Sequence, residues 1–429
     1  MPVNNPTLEA LREYIDQIPL TDTHEHLQKE EDWLKEEPSL SHLFQHYASC
    51  DLVSAGMPQE DRAALSDPKF SDEEKWDKFE PYWKLAKNTS YCKAIEIAVR
   101  DLFGLPELSR DTYKDLLAKM AESHKPGWYK HVLKDKSNIE IGILNTGQAD
   151  VDRSLFAPVT GLDNFVFAAS HGEISRLGTA NEVDVYSLDG FLIAMDKAFE
   201  KVVADGCVGL KSGAAYIRPI FYDYASRAEA EDVFKEAFRY RGRGLSFENA
   251  KPLQNFMMHQ VVQRAAAYGL PMQFHTGIQE GNGNFVADSD PTLLTNLFFT
   301  YPKVKFDVFH AGFPYSRELS VLAKNFPNVY PDMCWMHIIG AKPAQNILDE
   351  WLDLVPANKI LAFGGDYIFV EGTYGHSRIA RDNVARVLAD RVDRGDQTMD
   401  EANWIADRIL RLNGRELFGL DERGLPTKS

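Results

Sequence analysis

The chain has few cysteines, no long apolar run and no recognisable export signal. Its four cysteines, Cys50, Cys92, Cys207 and Cys334, are scattered among 429 residues without CxxC spacing, which argues against a disulfide scaffold and against a cysteine-based zinc site. Nowhere do about 18 consecutive apolar residues occur, the length that a membrane-spanning helix needs, and residues 1–16 are too charged for a signal peptide. We therefore expect a soluble protein of the reducing cytoplasm.

Basic side chains are also scarce relative to acidic ones. The chain has 64 Asp and Glu but 47 Lys and Arg, so its net charge is -17 and its isoelectric point is about 5.2. Such a surface repels nucleic acid and anionic membranes, which excludes both as expected partners. Hydrophobic residues make up 44% of the chain, enough for a large core. We expect a globular protein that acts on a small molecule, and the sequence leaves open whether it forms a homo-oligomer.

Strand-like runs alternate with amphipathic helical segments along most of the chain. Each run is short and rich in β-branched and aromatic residues, and most of the segments between them show a 3.6-residue apolar period. This alternation predicts a parallel sheet, and eight runs are the number that closes a (β/α)8 barrel. The eight predicted strands span residues 20–25, 139–145, 165–170, 208–211, 271–275, 304–310, 329–333 and 360–366.

One long stretch interrupts this alternation. Residues 28–138, between the first two predicted strands, are rich in Trp, Tyr, Lys and Glu and are too long for an ordinary connection between a strand and a helix. We predict that they form a helical insertion over the carboxyl ends of the strands, where barrel enzymes build their pockets. Residues 1–429 are accordingly predicted to form one α/β domain, a TIM-type barrel that contains this insertion.

Ionisable side chains occur at the ends of several predicted strands. His24 and His26 are two residues apart at the end of the first strand, so the two-residue period of a strand directs both rings the same way. In a closed barrel the carboxyl ends of all strands meet around one cavity, which is the catalytic face of this fold. The other strand-end candidates are Lys211, His275, His310 and Asp366.

Imidazole and carboxylate groups in this arrangement predict a divalent metal site. They can hold zinc, and also manganese or iron, while one position stays open for water. Water in a zinc site ionises with a pKa of about 7 instead of about 15.7, so hydroxide exists at neutral pH. Asp366 could orient that nucleophile and take its proton, and His310 could stabilise an oxyanion or protonate a leaving group.

These motifs resemble the amidohydrolase superfamily, whose pattern is HxH at strand one, Lys or another bridging group at strand four, His at strands five and six, and Asp at strand eight. Within it, the chain is similar to the amidohydrolase-related branch and to the N-terminal half of FluG-type and nodulin-type glutamine synthetase fusions. Its insertion is distantly similar to that of uronate isomerases. The segments that carry the main resemblance are VGLKSGAAYIR at 208–218, FHTG at 274–277, GNGN at 281–284, FHAGFPY at 309–315, NVYPD at 328–332 and LNGRELFG at 412–419.

The resemblance implies a barrel enzyme with one divalent ion, zinc being favoured. The ligands that it implies are His24, His26, His275 and Asp366. Lys211 is then a free ammonium group, whereas in dinuclear members of the superfamily a lysine at this position is carboxylated and bridges two metal ions.

The implied reaction is attack of activated water on an amide, lactone or related bond of a small substrate, which could be anionic. Two alternatives stay open. A metal-dependent decarboxylase or uronate-type isomerase could use the same site, or the chain could be a non-catalytic metal-binding or assembly module.

Three further residues are candidates for substrate contact. Arg218 follows the strand-four motif, and its planar guanidinium could hold a carboxylate through two hydrogen bonds. Trp335 and His337 lie just beyond the seventh predicted strand and could form a wall of the pocket.

Overall fold

The computed structural model of the protein describes residues 5–239, 242 and 244–421. Within them, seven short β-strands pair in parallel throughout. The strands are β1 (Leu20–Glu25), β2 (Ile139–Leu144), β3 (Phe156–Pro158), β4 (Leu210–Ser212), β5 (Met272–Phe274), β6 (Phe306–Val308) and β7 (Val329–Pro331).

The strands form a closed barrel. One sheet has the order β1-β2-β3 and the other β4-β5-β6-β7, and isolated backbone contacts join their edges. The residue pairs at these seams are Thr160 with Leu210, Asp332 with Leu361, and Thr23 with Phe363. The chain after residue 360 therefore takes the place of an eighth strand between β7 and β1, and the predicted TIM-type α/β fold is confirmed.

Helices fill the connections. Those before β2 are α1 (Pro6–Gln17), α2 (Glu30–Trp33), α3 (Ser41–Phe44), α4 (Tyr47–Ser54), α5 (Gln59–Ser66), α6 (Asp72–Ala86), α7 (Ser90–Asp101), α8 (Tyr113–Ser123), α9 (Trp128–Lys130) and a π-helical turn (His131–Lys136). Those from β3 to β5 are α10 (Asp163–Phe167), α11 (His171–Ala180), α12 (Leu188–Ala204), α13 (Arg227–Arg239) and α14 (Phe247–Tyr268), with a 3-10 turn (Ala214–Tyr216). Those after β5 are α15 (Thr295–Thr300), α16 (Ser316–Asn325), α17 (Met336–Ile339), α18 (Ala341–Leu354), α19 (Val370–Arg394), α20 (Met399–Asp407) and α21 (Asn413–Leu417), with 3-10 turns (Val286–Ser289, Pro291–Leu294, His310–Gly312, Ala357–Lys359) and a π-helical turn (Arg408–Leu412).

The prediction for the third strand is wrong. Residues 165–167 belong to α10 and 168–170 to the turn after it, and the strand is β3, which lies upstream. The apolar run at 165–169 satisfies a buried helix as well as a buried strand, and periodicity alone does not separate the two. The eighth predicted strand, 360–366, is reduced to a single bridge at Leu361, although its path along the barrel is as predicted.

Helices α2 to α9 lie between β1 and β2, in the stretch for which a helical insertion was predicted. Aromatic contacts dominate their packing, as where Trp76 stacks on Tyr113 with ring centroids 4.6 Å apart. Helix α7 packs closely on α19, since a Cβ atom at Gly375 would lie 2.1 Å from the carbonyl oxygen of Ala94. Treatment of this stretch as an insertion within one domain stays a prediction.

All four cysteines are unpaired. Among the described residues, no helix combines the length and the apolar composition that a membrane crossing needs. The expectation about residues 1–16 depends in part on residues 1–4, which lie outside the described residues.

Candidate metal centre and active site

The end of β1 directs two imidazoles to the same point. His24 is the fifth residue of β1 and His26 follows its last residue, so the alternation of a strand places both rings on one face. Their Nε2 atoms are 3.1 Å apart, and the rings meet edge to face with centroids 4.7 Å apart. His24 is fully buried and His26 is partly exposed.

The hydrogen bonds of these rings show that the two Nε2 atoms face each other without a proton. His24 Nδ1 is 3.2 Å from Gln273 Oε1, which is an acceptor because the amide nitrogen of Gln273 donates elsewhere, to Thr23 O. His26 Nδ1 is 3.0 Å from the carbonyl oxygen of Asn145. Each neutral ring has one N–H, and in both rings it is at Nδ1. Two lone pairs therefore converge, which is a ligand arrangement for a cation.

A carboxylate completes this group. Asp366 Oδ1 is 3.3 Å from His26 Nε2 and 3.8 Å from His24 Nε2. The three ligand atoms lie within 4.8 Å of one another, and two imidazoles plus a carboxylate with an open side match a catalytic zinc site. The residues present thus fit the divalent metal ion that the sequence pattern predicts.

Two glycines bring Asp366 to this position. A Cβ atom at Gly365 would lie 1.8 Å from Glu25 Oε1, and one at Gly364 would lie 2.6 Å from Thr23 Oγ1. Because neither has a side chain, the chain approaches β1 closely enough for the Asp366 N–H to donate to His24 O at 2.8 Å. Asp366 itself has φ 56, a left-handed conformation that costs energy for a residue with a side chain and is found most often at functional sites.

His275 and His310 form a second imidazole pair. His310 Nε2 is 2.9 Å from His275 Nδ1, and the outer nitrogens contact carbonyl oxygens, His310 Nδ1 that of Cys334 at 3.1 Å and His275 Nε2 that of Ile278 at 3.0 Å. These are three contacts, but two neutral rings supply only two N–H groups. One contact therefore lacks a proton unless a third proton or a cation is present.

His275 does not join the group formed by His24, His26 and Asp366. Both of its nitrogens are engaged, one by His310 and one by Ile278 O. The structure thus brings together three of the four predicted ligands and places the fourth beside the predicted acid.

The electrostatics favour metal binding at neutral pH. Burial, together with the nearby charge of Lys211, lowers the pKa of His24 well below its usual value, and burial lowers the pKa of His310 to about 4. Burial would raise the pKa of Asp366, but its contacts with the imidazoles of His26, His310 and His24 hold it well below its usual range. Neutral imidazoles beside an ionised carboxylate are the protonation states that bind a divalent cation.

Lys211 lies at the end of β4, in the same cavity. Its ammonium nitrogen is 3.8 Å from the centroid of the Phe309 ring, a cation–π contact. Burial lowers the pKa of Lys211, and the charge of Asp366 opposes this. A buried lysine with a lowered pKa is more readily deprotonated than an exposed one.

Tyr47 is a member of the site that the sequence did not reveal. It begins α4, and its hydroxyl lies 2.6 Å from Asp366 Oδ2 and 2.7 Å from Asp366 O. The neighbouring His46 also lines the cavity and has φ 75. Neither residue follows a strand, so the rule that strand ends meet at the site could not find them.

Comparison with known proteins decides the family. The amidohydrolase family profile matches residues 194–420, more than half of the chain. The chain belongs to the amidohydrolase family.

Individual relatives support a family assignment but not a particular reaction. Protein fluG of Emericella nidulans is 33% identical over 179 residues, which are 40% of this amidohydrolase and 21% of fluG. A uronate isomerase of Thermotoga neapolitana is 21% identical over 271 residues, 57% of each chain. The chain thus spans about a fifth of the length of the first and just over half of the second.

A solved structure shows the shared fold. The uronate isomerase of Thermotoga maritima superposes with a TM-score of 0.78 over 97% of this amidohydrolase and 98% of that chain, at 18% identity. Membership of this family makes the protein an enzyme, and the family implies a divalent metal ion.

Arg218 is a correction to the predicted substrate contacts of this amidohydrolase. It is buried, and its guanidinium donates to Gln254 Oε1, to Asn255 Oδ1 and to the carbonyl oxygen of Phe221. These contacts tie the loop after β4 to α14, and Arg218 lines neither cavity at the metal centre.

His337 and Trp335 have different positions from each other. His337 is fully buried, with Nε2 2.8 Å from Ala362 O and Nδ1 accepting from Asn383, so it supports the fold instead of meeting substrate. Trp335 lies behind the site, perpendicular to the His310 ring at 5.1 Å and stacked on Tyr47 at 4.4 Å. It holds two site residues in place, and it contacts the cavity only through them.

Two cavities open from the metal centre of this amidohydrolase. The inner one, about 260 Å³, is lined by His26, Lys211, His275 and Asp366 among others, and the outer one is about 990 Å³. The two share His26, His46, Asn145, Tyr216 and Glu280 as lining residues.

The outer cavity is acidic. Its carboxylates outnumber its one ammonium group, Lys29, which is already paired with Asp150 at 2.7 Å. No arginine lines either cavity in the described part of the chain. The carboxylate residues of the outer cavity are Glu30, Glu31, Asp32, Asp150, Asp152 and Glu280.

Proposed function

We propose that this amidohydrolase is a metal-dependent hydrolase that cleaves an amide, lactone or related bond of a small substrate. The observation that carries the proposal is the convergence of two unprotonated Nε2 atoms, on His24 and His26, with the carboxylate of Asp366 on one point beside a cavity. A divalent ion held there, zinc being the ion we favour, would supply hydroxide from water at neutral pH.

The residues around this point can move the protons of a hydrolysis. Asp366 is ionised and can take a proton from attacking water, while the Tyr47 hydroxyl fixes its Oδ2 atom. His310 lies on the opposite side of Asp366, with Nδ1 3.9 Å from Oδ2. Its contact with His275 allows the pair to hold the proton that a leaving group needs.

The charges of the cavities favour a neutral or cationic substrate, although an anionic one could be expected from the sequence. Six carboxylate residues face the outer cavity and its one ammonium group is paired. An anion would be repelled on its way to the site, whereas an amine-bearing substrate would be attracted. Lys211 in the inner cavity is then free to polarise the reacting carbonyl.

Isomerisation of a sugar acid is the second candidate. Its support is the fold shared with a uronate isomerase over nearly the whole chain, together with Lys211 as the cation that could pair with a carboxylate. Decarboxylation would use the same groups. The acidic outer cavity favours the hydrolase.

A substrate panel on zinc-reconstituted protein tests the proposal. We expect release of a carboxylic acid from N-acyl amines or lactones, and neither ketose from uronates nor carbon dioxide from aromatic acids. Ketose or carbon dioxide as the product would replace the hydrolase by the second candidate. A protein that binds zinc but turns over none of these compounds would count for a non-catalytic module.

A pair of histidine variants connects activity to the site. His26→Ala should lower kcat/KM by at least about a hundredfold and lower zinc retention, because removal of a ligand should exceed the 10–100-fold loss typical of residues that only support a ligand. His131→Ala, at a half-exposed histidine on the π-helical turn, is the control and should behave as the parent. Unchanged activity in His26→Ala would contradict the assignment.

A further inference from the structure

A second group of metal-ligating atoms lies beside the first. His310 Nδ1, Cys334 Sγ and a carboxylate oxygen of Asp366 lie within 4.8 Å of one another, and all three residues are buried. The two oxygens of Asp366 face different neighbours, Oδ1 towards His26 at 3.3 Å and Oδ2 towards His310 at 3.9 Å. One carboxylate therefore borders two groups of ligands.

The position of the sulfur is fixed by the fold. The Cys334 N–H donates to Asp332 Oδ1 at 2.7 Å, and the following residue, Trp335, has φ 65, a conformation that is unfavourable outside glycine. A Cβ atom at Gly364 would lie 2.8 Å from Cys334 Sγ. The space that this thiol fills is thus kept open by the glycine that also brings Asp366 to the site.

The hydrogen bonds of the second imidazole pair allow His310 Nδ1 to be a ligand. If His310 Nε2–H donates to His275 Nδ1 and His275 Nε2–H donates to Ile278 O, both protons of the pair are used. His310 Nδ1 then has a lone pair, which faces Cys334 O at 3.1 Å and is on the side where Asp366 lies. The contact at His310 Nδ1 is the one of the three that also lies near the Cys334 thiol and the Asp366 carboxylate.

We propose that His310, Cys334 and Asp366 form a second cation site, which binds a thiophilic divalent ion and shares Asp366 with the first site. Bond lengths of about 2.3 Å to sulfur and about 2.0 to 2.1 Å to nitrogen separate the ligands of a tetrahedral ion by about 3 to 4 Å. An ion bound there would draw together the three ligand atoms, which lie within 4.8 Å of one another. The thiolate selects zinc, cobalt or iron over magnesium, calcium and manganese.

Occupation of this site would act on catalysis if the proposed hydrolase function is correct. His310 and Asp366 are the two groups that move protons in that proposal, and an ion bound to both would occupy their lone pairs. We therefore expect zinc in excess of one equivalent to inhibit turnover. Cys334→Ser should shift this inhibition to at least tenfold higher zinc concentration.

Cobalt is the probe that tests the second site without any substrate. The full chain, stripped of metal and titrated with Co²⁺, should bind two equivalents and develop a thiolate-to-cobalt charge-transfer band in the near ultraviolet with the second. Cys334→Ser should lose that band and one equivalent. Cys92→Ser, at a cysteine that is equally buried but lies in α7, is the matched control and should keep both.

The spectrum of the unaltered protein decides the matter even if Cys334→Ser does not fold. One equivalent of cobalt, or two equivalents without a charge-transfer band, would overturn the proposal, and the latter would place the second ion between His275 and His310. A band without hydrolysis of any substrate would leave the second site supported while the proposed function failed.

Discussion

At the scale of single residues, the Tyr47 hydroxyl is the contact whose removal should be most informative. Tyr47→Phe keeps the ring that stacks on Trp335 but removes the hydrogen bond to Asp366 Oδ2. We expect a loss of about 10- to 100-fold in zinc affinity or kcat, as is typical for residues that orient a metal ligand. Zinc titration and steady-state kinetics measure the two effects. Tyr91→Phe, whose ring also stacks against that of Tyr47, should leave both unchanged.

A buried pair of carboxyl groups below the site should make stability depend on pH. Burial, then the charge of Asp332, raises the pKa of Asp307 well above its usual range, and burial raises that of Asp332 to about 7. The folded protein keeps these protons where the unfolded chain, with pKa values of about 4, has released them. Their stabilising effect is therefore full below pH 4 and is lost as pH rises to 7.

Asp307→Asn tests this dependence in metal-free protein. Each such group contributes a slope of about 1.4 kcal/mol per pH unit across the window, and the amide removes one of them. Between pH 4 and 7 we expect the free energy of unfolding, measured in urea, to fall by up to about 4 kcal/mol less in the variant. Parallel profiles for variant and parent would contradict the assigned protonation.

The sequence revealed those site residues whose position depends on strand ends. His26, Lys211, His275 and Asp366 line the inner cavity, and His24 joins His26 and Asp366 in one group of ligands. Arg218 was predicted wrongly, because a sequence does not show that buried amides and carbonyls already use its donors.

At the scale of elements, β4 and β5 were predicted correctly because a glycine marks the end of the helix before each of them, whereas no such signal precedes β3. Helix α12 ends before Gly206 and α14 ends at Gly269, and each leads into a correctly predicted strand. The third strand was missed because, in the described residues, no helix lies between β2 and β3, so no helix end marks the start of β3. Its neighbour α10 has an apolar run that fits either structure.

The contact between α7 and α19 should be intolerant of even a methyl group. Gly375→Ala would place a Cβ atom 2.1 Å from Ala94 O, so the helices must separate, and overpacking of this kind costs about 1 to 3 kcal/mol. Urea unfolding should show a loss of this size. Gly172→Ala in α11, where a Cβ atom meets nothing within 4 Å, is the control, and an equal loss there would refute a specific contact effect.

At the scale of the whole molecule, the first metal site joins the two ends of the barrel sequence. His24 belongs to the first strand and His26 directly follows it, whereas Asp366 ends the segment 360–366 that replaces the eighth. An ion that binds only the folded protein adds about 2.7 kcal/mol at a concentration of 100 Kd. We expect zinc to raise the free energy of unfolding by this amount over chelated protein. The rise should be absent in the double variant His26→Ala, Cys334→Ser, which lacks a ligand of each site, and its persistence there would place the stabilising ion elsewhere.

The net charge of -17 and the acidic outer cavity both attract a cationic substrate and repel an anionic one. Added salt screens such attraction over a Debye length of about 10 Å at 0.1 M. We expect KM for a cationic N-acyl amine to rise several-fold between about 0.02 and 0.3 M ionic strength, while KM for an uncharged analogue stays constant. Steady-state kinetics at both salt levels measure this change. A KM that falls as salt is added would show that the preferred substrate is an anion.

The glycine pair before Asp366 gives a criterion for recognising this site in related chains. Any side chain at position 364 or 365 collides with Thr23, Glu25 or Cys334, so Asp366 could not reach the histidines of β1. A relative that retains every ligand but has lost either glycine should be counted among chains without the centre. Inspection of ligands alone would misclassify it.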